Sequence, residues 1–92
     1  MNEIDQKLRI HPKYRLYPIE RDGVAVLYNR NRPLILREEV IVSLVRCLLD
    51  EPQSAVDLVF ALQDSYQPET IYRCLVWLLQ QDILVRDYEA HR

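Results

Sequence analysis

Glycine occurs once in this chain, at Gly23, directly after Asp22. A backbone with one glycine has little room for floppy linkers, and no glycine-rich phosphate loop can be built from it. Its position is telling. It falls between two runs of alternating polarity, and Asp-Gly at such a place is a strong hairpin signal, because both turn residues must reach positive φ. A chain of 92 residues with one such turn is read as a single compact domain.

The runs around that turn predict strands. From Lys13 to Glu20 polarity alternates, with Tyr14, Leu16 and Pro18 on one face, as in a half-buried strand. Val24 to Tyr28 is more apolar and lacks proline, as a central strand should. Asn29-Arg30-Asn31 reads as the next turn, since asparagine tolerates the left-handed region. Pro33 to Leu36 is the third strand of a meander. A strand proline belongs at an edge, a first position or a bulge, because it has no N–H for the ladder. That raises the question of what pairs with the open side.

The chain then changes period. Glu38 and Glu39 suit a first helical turn, where their charge complements the dipole. Val40, Ile41, Leu44, Val45, Leu48 and Leu49 follow at spacings of three and four, which predicts a largely buried helix. Residues 50–53 stop it. Ser54 to Asp57 resembles a capping box, and Val56, Val59, Phe60 and Gln63 continue a short helix to about Ser65. Pro68 fits a first helical position, and Ile71, Cys74, Leu75 and Leu78 mark the core stripe of a third helix. Ile83 to Val85 is a final short strand. The expected class is α+β, a winged helix-turn-helix-like domain with a three-stranded antiparallel sheet followed by three helices. Its expected extent is 13–86, between an N-terminal tail (1–12) and a C-terminal tail (87–92).

Several functions are disfavoured by what is missing. No apolar run approaches the roughly 20 residues of a membrane span, and the first ten residues are too polar for a signal peptide, so a cytoplasmic protein is expected. His11 and His91 have no motif partner, and no His/Cys group has metal-ligand spacing. Cys47 and Cys74 lie in apolar helical patterns and read as core thiols, with a disulfide or a reactive thiol as the alternative. We expect neither a catalytic residue nor a cofactor or metal.

Charge is unevenly distributed. Residues 1–37 carry a net +4 and residues 38–92 a net −6. The basic half is the strand-rich one, which suits an acidic partner. The third helix has one basic residue, Arg73, in its helix-turn-helix position, so nucleic acid is an unlikely ligand for it. Its apolar surface is nonetheless wider than one core stripe requires. Tyr72, Val76 and Leu79 fall on one flank, and Trp77 falls nearly opposite the core centre. A wide apolar face fits a dimer contact or one wall of a groove.

Taken together, these stretches resemble a RiPP recognition element, a PqqD-like domain that binds the leader segment of a ribosomally made precursor peptide. The likeness is greatest to those of thiazole/oxazole-forming (cyclodehydratase) systems, and it spans Lys13 to Val85. It rests on Gly23 to Tyr28, on Pro33 to Arg37, on Cys47 to Asp50 with Ser54 to Val59, and on Ile71, Leu75 and Leu78 followed by Asp82 to Val85. These are packing motifs. Where such domains usually have glycine, this chain has Glu51-Pro52 and Asp82.

The resemblance implies a non-catalytic role. The leader would add as a strand along the third strand, with apolar side chains in a groove against the third helix, and be presented to a RiPP-modifying enzyme such as a cyclodehydratase. Carried onto this sequence, the strand edge would be Leu34, Ile35 and Leu36. Tyr72, Val76 and Leu79 would wall the groove, and Arg73 would be an outer charge. Arg30, Arg32 and Arg37 would meet acidic leader residues. The domain would be a stand-alone adaptor or a piece of a larger enzyme. Two other readings stand beside this one: a winged-helix DNA-binding protein, and a structural subunit that forms a homodimer through its third helix.

Overall fold

The structure is a computed structural model and describes residues 6–16, 24–30 and 32–87. Its elements run β1 (Lys7–Ile10), β2 (Arg15–Leu16), β3 (Ala25–Asn29), β4 (Arg32–Leu36), α1 (Glu39–Cys47), β5 (Gln53–Ser54), α2 (Ala55–Leu62), α3 (Pro68–Gln80) and β6 (Leu84–Arg86). The class is α+β, as expected, but the strands form two sheets. One has the order β2-β3-β4 and the other β5-β1-β6.

The first sheet is the expected meander, with β3 in the middle. Asn29 pairs with Arg32 and Ala25 with Leu36, so β3 and β4 run antiparallel through a two-residue turn. Arg30 takes the left-handed conformation there (φ 60°), while Asn29 stays in the strand. One left-handed residue of this turn is thus an arginine, where the sequence had suggested asparagine; Asn31 lies outside the described residues. The Asp22-Gly23 turn and residues 17–20 lie outside the described residues.

Ala25, Leu27 and Leu36 point into the core, and Leu34 packs against it. Three helices close over this face. In α1, Val40, Ile41, Leu44, Val45 and Leu48 are buried together with Val42, whereas Leu49 is exposed. In α3 the buried residues are Ile71, Cys74, Leu75 and Leu78, as the spacing predicts. The Ser54 hydroxyl caps α2 by accepting from the Asp57 backbone N–H at 3.1 Å. Helix α2 departs from expectation: its one fully buried residue is Leu58, and Phe60 is 65% exposed.

The second sheet was not anticipated. Lys7 to Ile10, read as part of a tail, is its central strand. Leu8 pairs with Gln53 on one side and with Arg86 on the other. The ladder with β6 extends past both strand ends. The His11 N–H donates to the Ile83 carbonyl, and the Asp87 N–H donates to the Lys7 carbonyl, each at 2.8 Å. Asp87, also read as tail, lies 3.7 Å from the Arg9 guanidinium as an ion pair. Leu8, Ile83 and Leu84 are buried, so this sheet joins the same core. The domain therefore begins before residue 13.

Helix α3 reaches β6 through a tight C-terminal turn. The Ile83 N–H donates to the Leu78 carbonyl, and the Asp82 N–H to the Leu79 carbonyl. This is the Schellman arrangement, and it places Asp82 at φ 58°, where glycine is usual. Buried Ile83 and Leu78 supply the apolar contact that accompanies it. An aspartate can take this conformation at some cost, so the missing glycine does not prevent the turn.

Candidate functional site

Strand β4 is an edge. Its inner side pairs with β3, and no other described strand lies on its outer side. The register shows which backbone groups point outward. In an antiparallel ladder, hydrogen-bonded pairs alternate with non-hydrogen-bonded pairs, and the pair closing a two-residue turn is hydrogen-bonded. Asn29–Arg32, Leu27–Leu34 and Ala25–Leu36 are then the bonded pairs. The backbones of Pro33, Ile35 and Arg37 face outward. The missing donor of Pro33 thus falls on the open side, and the β3–β4 ladder loses nothing by it. The open side still offers the Pro33 carbonyl, both groups of Ile35 and the Arg37 N–H.

The side chains follow the same parity. Leu34 and Leu36 share the core face, and Ile35 lies on the other, as alternation predicts. Leu36 is only 5% exposed, so it supports the strand from within and cannot touch a ligand by its side chain. Leu34 is half-buried at the rim. Ile35 is 48% exposed, beside half-buried Val26 and Tyr28 on the outer face. Arg30, Arg32 and Arg37 are all exposed along this edge. The one ion pair described is Arg9–Asp87, on the other sheet.

The expected wall of Tyr72, Val76 and Leu79 faces residues of the second sheet. These three residues line a small hollow of about 120 Å³ together with Gln6, Leu8 and Arg86, on the side of the second sheet. The strand that was read as a tail has taken their flank of the helix. Cys74 lies on the other side of the core stripe. Glu38, just past the strand, acts on its thiol: burial is the main cause that raises the Cys74 pKa, and the Glu38 charge adds to it. Trp77 lies about 60° around the helix from Cys74, on the side away from Leu75. It is 41% exposed, and Arg73 is also exposed. A helical wheel of α3 separates these two flanks. Choosing between them required knowing where residues 7–10 lie.

A larger cleft, about 520 Å³, lies between His11–Tyr14 and Leu48–Pro52. His11 sits in it with Nδ1 accepting from the Lys13 backbone N–H at 3.0 Å. Desolvation, then the Lys13 charge, lowers the His11 pKa from its ordinary value, against an opposing effect of Asp82. Cys47 and Cys74 are both free thiols. No helix among the described residues is long and apolar enough to cross a membrane.

No family model matches this chain, and no curated protein or solved structure matches it either.

Proposed function

We propose that this domain is a non-catalytic peptide-binding module that takes an extended segment of another chain as an added strand on β4. The resemblance to RiPP recognition elements makes that segment the leader of a ribosomally made precursor, delivered to a separate modifying enzyme. One observation carries the reading: the open side of β4 presents backbone groups that no other described strand uses, next to an exposed isoleucine and three exposed arginines. Such edges are templates for pairing, and natural proteins cover or blunt the ones they do not use. Backbone bonds supply affinity, alternate side chains supply specificity, and the arginines mainly steer approach.

The test is a fluorescence-anisotropy titration with a labelled leader peptide from a precursor encoded beside this gene. Saturable binding that persists in moderate salt and falls at least tenfold in Ile35→Pro supports the reading. That substitution removes an outward N–H and leaves the β3–β4 ladder intact. Binding that Ile35→Pro leaves unchanged overturns it.

A further inference from the structure

We infer that the ligand of β4 is a six-residue pattern, reading from its N-terminus acidic, apolar, β-branched or aromatic, apolar, any residue, acidic. This rests on the strand-addition reading above and deepens it. The argument is one of register. An antiparallel strand that bonds to Ile35 places one of its residues directly opposite. The side chain of that residue lies on the outer face, beside Ile35 and near Val26. Cross-strand pairs on such a face favour β-branched and aromatic partners.

The neighbours of that central residue point the other way. They fall opposite Leu36 and Leu34, on the core side of the sheet. Leu34 is half-buried at the rim there, so apolar side chains at both positions extend the core under the strand. Two residues before the centre, the ligand lies opposite Arg37. Three residues after it, the ligand lies opposite Arg32. Both arginines are exposed, and each takes a carboxylate there. The position opposite Pro33 meets no donor and is left open. Antiparallel addition is the direction used by every other strand pair described here, and it is slightly the more stable of the two.

The charges also set a direction. Arg37 and Arg32 stand at unequal distances from Ile35, two and three residues away. With its β-branched residue opposite Ile35, a ligand of reversed order puts both carboxylates out of step, one opposite Pro33 and the other opposite Glu38. The pattern is therefore a statement about order as well as content.

The probe is a fluorescein-labelled peptide with the core aspartate-leucine-threonine-leucine-serine-glutamate, titrated by anisotropy and by amide shifts of the isotope-labelled domain. The expected result is binding that shifts the Ile35 and Arg37 amides and weakens about tenfold when both acids become lysine. Arg37→Glu should weaken it too, and a lysine in the first ligand position should restore binding to that variant. Equal binding of the lysine peptide, with the same amides shifting, overturns the pattern and leaves strand addition standing. Tighter binding of the reversed core also overturns it. If neither this peptide nor a natural leader moves those amides, strand addition falls with it. Displacement of the peptide by a short DNA duplex, with steep loss in salt, assigns the arginines to nucleic acid and overturns the proposal. A β4-mediated dimer in sedimentation that excludes the peptide overturns it as well.

Discussion

The two sheets have the same number of strands and opposite construction. β2, β3 and β4 follow one another in the chain and pair with their neighbours. β5, β1 and β6 come from three distant segments, and burial of Leu8, Ile83 and Leu84 holds them in place. The local sheet keeps a free edge at β4. The assembled sheet spends its central strand on internal pairing and occupies one flank of α3. A short polar segment can thus be more structural than an apolar one: Leu8 is buried, whereas Ile35 is largely in solvent.

The largest expected effect tests whether β1 is a structural strand. Leu8→Ala should destabilise the domain by about 2–5 kcal/mol in urea unfolding, the usual cost of truncating a buried leucine. A change below about 0.5 kcal/mol would return residues 7–10 to the status of a tail and dissolve the contrast.

A pair of prolines sharpens the same contrast. Arg9 pairs with Val85 in the central strand, and the bonds at His11 and Lys7 make this a hydrogen-bonded pair. Arg9→Pro should cost about 3 kcal/mol through a lost ladder bond and the fixed φ. Ile35→Pro should cost less than about 1 kcal/mol, because its N–H points outward. Thermal melts of the two variants compare them directly, and equal losses would mean that the β4 edge is paired.

The remaining effects are smaller. Asp82→Gly should stabilise the domain by about 0.5–1 kcal/mol, because the left-handed turn into β6 then carries no Cβ penalty. A shift in the opposite direction would show that the aspartate side chain holds the turn. The thiols give the smallest effect. Burial raises the pKa of Cys47 and Cys74 above the ordinary 9.0. The folded chain then holds these protons more firmly than the unfolded one. Their contribution is complete below about pH 9 and fades as pH rises beyond it. Urea midpoints at pH 8 and pH 10 for the wild type and a double Cys→Ser variant check this: the wild type should lose more over that interval.

What could be read from the sequence follows the same division. The meander, the three helices, the Ser54 cap, Pro68 at the start of α3 and the core stripe of that helix are all set by neighbours in the chain, so local periodicity and turn chemistry reveal them. The opposite orientation of Ile35 relative to Leu34 and Leu36 was legible for the same reason. β1 was not. Its four residues give too short an alternation, and its partners lie more than forty residues away. That omission displaced part of the candidate site, since Tyr72, Val76 and Leu79 could be assigned to a flank of α3 but not to what covers that flank. Arg30 is a different kind of miss. Two asparagines flank it in the sequence, and their turn preference does not foresee an arginine at positive φ.

The middle strand of the second sheet has a consequence for how the polypeptide is made. β1 is the first strand in the sequence, and β6, with which it shares most of its ladder, is the last. During vectorial synthesis β1 emerges early, but its ladder with β6 cannot form until residues 84–86 have left the ribosome. The meander and α1 have no such wait. The nascent protein should therefore mature in two stages, with the meander ordered before the ladder of β1 with β6.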